Sequence, residues 1–367
     1  MHKDKTMNTY IVDNESLIYN IELLKQKAGK TPIWAVLKGD GYGLGLLPLV
    51  KLLAVHGIDR FCVTEVHEAE TLRKNGFESS QILMLRSVEN ADEISRLIDM
   101  NVILTVGSIS AAALIDELAA QRSVSAEIHI KIDTGMGRYG FLPENTDDIL
   151  QVYRNAEHIK ISGIYTHFDC ALTCARRTKT EFNTFMNTVA KIRAAGYETG
   201  TVHCCGSAAF LRFPDMHCDG VRLGSAILGR MTFRTELHPV GYAESQIDTV
   251  RLLPKGHTAG YGAIWKAKKN TRIAIIPIGR FNGFDVTSLS GVTRFCDCLR
   301  LIFSGMYRIL RRKKIYVEIS GRLCPVVGQI GMLHTAVDVS NVNCRPGDIA
   351  KVPIKPLYLK GMNIVYR

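Results

Sequence analysis

The sequence predicts an α/β protein: a (β/α)8 barrel over residues 1–235, followed by a mainly-β domain over residues 236–367. Three observations carry this reading. Short apolar runs alternate eight times with amphipathic stretches of helical period in the first two-thirds of the chain. The residues that follow the runs are unusually polar or small, which is where a barrel of this kind places its chemistry. From about Glu236 the alternation stops, and strand-like runs follow one another without regular helices.

Taken in order, the first amphipathic stretch is 16–28, with Leu17, Ile21 and Leu24 on one face. The first barrel run, 33–37, ends at Lys38, and four glycines and Tyr42 fall within the next seven residues. The following runs are 60–63, 81–85, 102–106, 127–132, 159–165, 200–204 and 218–222. Between them, 66–75, 91–100, 111–120 and 180–195 read as helices. Eight repeats in about 230 residues suit a closed barrel. A doubly wound sheet is the competing architecture, and the absence of G-x-G-x-x-G after the first strand counts against it. The barrel's strand ends would carry Lys38, Glu65 and His67, Arg86, residues 131–138, His167, residues 203–207 and residues 222–224.

In the second domain the strand-like runs are 245–252, 271–277, 315–319, 324–330, 335–339 and 349–353. A basic, helix-like insertion interrupts them near 294–314. Pro353 and Pro356 point to an edge strand or a loose tail at the end.

Composition sets the outer limits. At 367 residues, 46% hydrophobic and 22% charged, the chain can build two cores. No apolar run approaches the ~20 residues of a membrane span. The charged first six residues have no apolar segment behind them, so a cytoplasmic protein is expected. The ten cysteines form no C-x-x-C pair and fit no zinc spacing, so no metal is expected and the thiols should stay reduced. Part of the net charge of +11 lies in Arg308, Arg311, Arg312, Lys313 and Lys314. That run could meet nucleic acid, an acidic membrane or an anionic substrate, but no nucleic-acid motif accompanies it, and a solvated helix face is the expectation.

Lys38 is the most informative residue. A lysine at the end of a buried strand is held in its neutral form by desolvation, and a neutral amine can form a Schiff base. A solvated lysine opening a flexible turn is the alternative on these residues alone.

Further motifs narrow the choice: residues 35–45, 131–138, Thr166-His167-Phe168, residues 203–208, residues 220–224, Gly260-Tyr261-Gly262 and residues 328–339. In this order and at these intervals the chain resembles the alanine racemase family, pyridoxal-phosphate enzymes built from a barrel and a β domain. The resemblance implies that Lys38 carries the pyridoxal 5'-phosphate. It implies that Tyr42, Ser207 and the backbone at Gly224 and Ser225 hold the cofactor phosphate, and that Arg222 faces the pyridine nitrogen with His167 orienting it. Arg138 would bind the substrate carboxylate and the cofactor's phenolic oxygen, with the Met332 backbone amide nearby. Lys131 matches a lysine that can be carbamylated and then orients this arginine. Racemisation needs a base on each face of a planar carbon. Lys38 is one, and Tyr261 matches the family's second base, which enters from the other subunit of a homodimer. His167 and Arg222 are the cations expected to stabilise its phenolate.

The chain departs from the family pattern at Gly206, Leu223, Ser225, Leu333 and Arg280, in the insertion near 294–314, and at the C-terminus, where Tyr358 stands for a tyrosine that narrows the entrance. These changes fall on the entrance and carboxylate side while both bases remain. L- and D-alanine are therefore the expected substrates, with serine or a larger polar amino acid as the alternative. A decarboxylase, a non-catalytic pyridoxal-phosphate carrier and a basic scaffold are further readings. Arg222 speaks against the first, Tyr261 against the second.

Overall fold

A computed structural model describes residues 8–286, 298–299, 302–303 and 314–367. Most of the basic insertion predicted near 294–314 lies outside the described residues. The chain forms two compact units, one of Asn14–Val240 and one that joins the N-terminal residues up to Asp13 to Gly241–Arg367. The division differs from the sequence expectation in its N-terminus. The first strand, β1 (Thr9–Val12), belongs to the β unit because its ladder partner, β10 (Gly241–Gln246), lies there.

The barrel unit holds eight parallel strands: β2 (Ile33–Val36), β3 (Arg60–Val63), β4 (Gln81–Ser87), β5 (Ile103–Val106), β6 (Ala126–Lys131), β7 (Ile159–Tyr165), β8 (Thr201–Gly206) and β9 (Gly220–Leu223). β9 pairs with β2, which closes the sheet and excludes the doubly wound alternative. Strands β2, β5 and β9 are buried along their whole length, as continuous apolar runs with both faces covered require. Trp34, Val36, Cys62, Leu83 and Ile103 form one cluster of the interior. The helices start where the side chains say they should. Asn90 accepts the N–H of Glu93 at 3.0 Å, and Ser108 accepts that of Ala111 at 3.1 Å, each satisfying an orphan donor of the first turn.

Among the described residues the β unit forms a nine-stranded sheet in the order β11-β12-β15-β14-β13-β16-β10-β1-β17. Its remaining strands are β11 (Thr249–Leu253), β12 (Thr271–Ile276), β13 (Tyr316–Ile319), β14 (Arg322–Val327), β15 (Thr335–Asp338), β16 (Ile349–Val352) and β17 (Asn363–Tyr366). The run 245–252 breaks into β10 and β11 at Ile247 and Asp248, whose N–H groups turn to Asp348 and Ile275. β17 is an edge strand, so the first of the two expectations for the C-terminus holds. It pairs in parallel with β1. β17 is largely exposed and lacks the apolar alternation that makes a strand readable.

Candidate active site

Lys38 follows β2 at the mouth of the barrel. The glycine-rich residues after it do not form a flexible turn. Gly39, Asp40, Gly41 and Tyr42 all have φ between 53° and 65°, a left-handed turn of four residues. Side chains resist this conformation, and the glycines at 39 and 41 leave only Asp40 and Tyr42 to bear it. Hydrogen bonds hold the turn. Asp40 Oδ1 accepts the N–H of Leu46 at 2.7 Å, and the Asp40 N–H donates to Glu68 Oε1 at 3.3 Å. Glu68 is buried, and its other oxygen takes the N–H groups of Thr64 and Glu65. Burial lowers the pKa of Lys38 and the Arg138 charge lowers it further, against the pull of Glu68. The turn is therefore ordered rather than flexible, while the Lys38 side chain itself is exposed at the cavity mouth.

Arg222, on β9, is buried, and among the described residues no carboxylate pairs with it. Its Nη1 meets His203 Nδ1 at 2.7 Å and the His203 carbonyl at 3.2 Å. Its Nη2 donates to the carbonyls of Thr166 at 2.6 Å and Cys204 at 3.3 Å, and lies 3.4 Å from His167 Nδ1. A guanidinium only donates, so His203 Nδ1 must accept. His203 Nε2 then carries the proton toward His129 Nδ1, 2.9 Å away. The Tyr165 ring lies under the guanidinium, 4.8 Å from centroid to carbon.

Arg138 is presented by the loop after β6. Asp133 builds that loop: its Oδ1 accepts the N–H groups of Gly135, Met136 and Gly137 at 2.9–3.1 Å, and its Oδ2 accepts that of Arg138 at 3.1 Å. Lys131, at the end of β6, donates to the Ile132 carbonyl at 2.7 Å. Burial, then the charges of Arg222 and Arg138 against Asp133, bring its pKa down to about 7.

Ser207 begins the short helix Ser207–Arg212, and its Oγ accepts the N–H groups of Gly224 at 3.0 Å and Ala226 at 3.2 Å. A Cβ at Gly224 would stand 2.2 Å from the Tyr42 hydroxyl, so only glycine lets tyrosine and backbone approach this closely. Burial pushes the Tyr42 phenol up to about 12. Lys38, Tyr42, Arg138, His167, Ser207, Arg222, Gly224 and Ser225 all line one cavity of about 360 Å³.

Tyr261 and Met332 are on the β unit. Both are exposed, 72% and 70%, and both line a second hollow of about 330 Å³ together with Leu333 and His334. Tyr261 opens a one-turn 3-10 segment between two glycines of positive φ, Gly260 and Gly262. A Cβ at Gly260 would sit 2.9 Å from the Gln329 nitrogen, so the tyrosine is offered from a tightly packed backbone.

The alanine racemase N-terminal domain pattern matches residues 12–231, and the C-terminal domain pattern matches residues 240–354. The chain belongs to the alanine racemase family. An alanine racemase of Methylacidiphilum infernorum is 31% identical over 345 residues, covering 92% of this chain and 81% of that protein. The solved alanine racemase of Clostridium difficile 630 has a TM-score of 0.81 at 25% identity, covering 100% of this chain and 97% of that one. The alanine racemase of Streptomyces lavendulae shares the fold, with a TM-score of 0.83 at 20% identity, covering 100% and 98%.

The chain is thus an amino-acid racemase of a pyridoxal-phosphate-dependent family. The cavity fits such a group. Lys38, Lys131, Arg138 and Arg222 line it, and among the described residues Asp169 is the one carboxylate that does. Among the described residues the buried guanidinium lacks a counter-charge, and the missing Cβ at Gly224 lets the Tyr42 hydroxyl come close to the backbone that Ser207 Oγ also meets. These features suit an anionic ring carrying a phosphate.

As an alanine racemase relative, the chain corrects one expectation and adds four residues. His167 is not a cation: burial, with the charges of Arg222, Lys131, Arg138 and Lys38, holds its pKa well below the usual imidazole value. His203 makes the shorter contact to Arg222, backed by His129. Glu68 and Asp133 build the turns of Lys38 and Arg138. Asp133 and His203 fall in the predicted strand ends, Glu68 beside one and His129 within the predicted run 127–132, but nothing in local spacing distinguishes them. Among the departures, Arg280 is exposed and its N–H bonds the Gly331 carbonyl, while Phe281 bonds that of Met332. Arg280 and Leu333 therefore stand beside Met332. The carbonyl of Tyr358 packs on Gly283, where a Cβ would stand 2.4 Å from it. Among the described residues, no helix is long and apolar enough to cross a membrane.

Proposed function

We propose that this racemase interconverts L- and D-alanine by a two-base mechanism, with Lys38 on one face of the reacting carbon and Tyr261 on the other. The observation that carries the reading is the convergence, in one cavity, of a lysine held toward neutrality with a buried guanidinium that no carboxylate neutralises. When bound, pyridoxal phosphate withdraws electrons from the substrate's Cα and makes its proton removable.

The chain's own residues supply the rest. Lys38 would hold the cofactor. Its neutral Nζ, freed when the substrate amine takes its place, removes or returns the Cα proton on one face. Tyr261 of the partner subunit does the same on the opposite face through its hydroxyl, which makes a homodimer the working form. Arg222 would face the pyridine nitrogen, and because a guanidinium does not surrender its proton it would leave that nitrogen unprotonated, which would favour return of the proton to Cα. Tyr42, Ser207 and the N–H groups at Gly224 and Ser225 would hold the phosphate. Arg138 would take the substrate carboxylate in a bidentate grip, with the Met332 amide on the same group. Lys131, with its pKa near 7, has the free amine that carbamylation requires.

The departures from the family pattern at Arg280 and Leu333, beside Met332, favour a second substrate reading, serine or a larger polar amino acid. The role proposed for the enzyme is cytoplasmic supply of a D-amino acid for peptidoglycan precursors. The test is a panel of L-amino acids in deuterated water, followed by chiral chromatography and mass analysis of Cα. Alanine turning over fastest supports the first reading, and serine or a longer residue overtaking it supports the second. Carbon dioxide release without D-isomer would sink both. Lys38→Ala should abolish turnover and the borohydride-fixable attachment of cofactor to protein.

A further inference from the structure

We infer that Glu181, with Arg177, is the positioning residue that fastens the loop carrying His167 to the loop carrying Arg138, and so sets the enzyme's grip on the substrate carboxylate. This rests on the racemase reading of the cavity. Both residues belong to the helix Ala175–Ala194 and lie one turn apart. Glu181 is buried, 3% exposed. Its Oε2 accepts the N–H of Asp169, two residues beyond His167, at 3.2 Å. Its Oε1 accepts Arg177 Nε at 3.1 Å.

Arg177 completes the link. It donates to Asp169 Oδ1 at 3.1 Å and, through Nη2, reaches the Gly135 carbonyl at 3.3 Å. Gly135 stands three residues before Arg138 in the loop that Asp133 organises. The fit at Gly135 is close: a Cβ there would lie 3.1 Å from Glu181 Oε1 and 3.2 Å from Arg177 Nη2, on a backbone with φ of 151°. Asp169 itself lines the active-site cavity. Two loops that share no strand ladder beyond β6 and β7 are thereby tied by one acid and one guanidinium reaching up from a helix outside the barrel.

The charges facing Glu181 are Asp169 and, from its own helix, Arg177. Cys170 bonds Asp169 from behind. Burial and the neighbouring Asp169 carboxyl push Glu181 up to about 7. Burial works against Asp169, but its bonds with Glu181 and Cys170 and the Arg177 charge hold it low.

The test compares the holoenzyme with Arg177→Met, Glu181→Gln and Glu181→Ala, by steady-state racemisation from pH 6 to 9. Arg177→Met should raise the KM for the amino acid about tenfold, with a smaller change in kcat, because it loosens a binding group without touching the bases. Glu181→Gln keeps an acceptor for the Asp169 N–H and a donor for its carboxyl. It should keep KM within about threefold of the wild type. Glu181→Ala should behave like Arg177→Met; if it does not fold, Arg177→Met, altered on the more exposed partner, still decides. An unchanged KM in Arg177→Met, or a kcat that falls as far as KM rises, overturns the inference. A wild-type protein that racemises no amino acid would instead remove the reading beneath it.

Discussion

His203 Nδ1 lies 2.7 Å from Arg222 Nη1 and accepts its proton donation, which fixes the tautomer of a second imidazole, His129, behind it. The guanidinium is thus oriented by neutral groups, two rings and three carbonyls, and keeps its full charge for what enters the cavity. A carboxylate in the same place would have oriented it equally well and neutralised it.

His203→Ala should therefore lower kcat about tenfold or more while cofactor still binds. The variant leaves Nη1 with only the His203 carbonyl at 3.2 Å and releases the ring of His129. Racemisation rates alongside cofactor content, from visible absorbance, check this. Loss of cofactor with no change in rate per bound cofactor would place the role of His203 elsewhere.

Tyr261→Phe removes one hydroxyl from an exposed turn and should leave folding intact. Racemisation in both directions should drop by about 100-fold or more, the usual contribution of a general acid–base. Exchange of the Cα proton with deuterated water should persist for the enantiomer whose proton faces Lys38. Nuclear magnetic resonance of each enantiomer separates the two. Equal loss of exchange from both would mean that Tyr261 is not a base for one face alone.

Gly224→Ala adds a methyl group 2.2 Å from the Tyr42 hydroxyl, with ring carbons of the same residue at 2.8 and 2.9 Å. Either Tyr42 or the Gly224 backbone must move, at a cost of about 1–3 kcal/mol. Pyridoxal phosphate should bind about tenfold more weakly or worse, measured by titrating the apoprotein. Unchanged affinity would show that this corner does not hold the phosphate.

Stability should fall as pH drops below about 6.5. His129, at about 3, and His167 and His203, both well below the usual value, have folded pKa values under the unfolded 6.5. Between those values the unfolded chain binds more protons, so the slope of unfolding free energy with pH is positive and stability is lost on acidification. Near pH 5 these three sites alone make unfolding take up about three protons. Melting temperatures of the wild type from pH 8 to 5 should decline, and His129→Phe should flatten the decline if it folds. A wild-type melting temperature independent of pH over this range would contradict the neutral-imidazole assignment.

The barrel, its closure class and the cluster of cations at the strand ends were all readable from the chain. Burial period and turn chemistry are local properties, written in neighbouring residues such as 33–45. The strands β1 and β17 were not, because each is only four residues long and is defined by pairing with distant segments, β1 with β10 and β17, β17 with β1. The same holds inside the cavity. Lys38 and Arg222 announce themselves by type and place. The contacts that decide their state join distant positions: His203 with His129 across 74 residues, and Glu68 with Asp40 across 28. A residue's chemistry is local, but its protonation and orientation depend on which groups share its low-dielectric surroundings, and folding alone chooses those. So His167 reads as a cation in the sequence and is a neutral ring in the folded barrel, with Arg222 beside it.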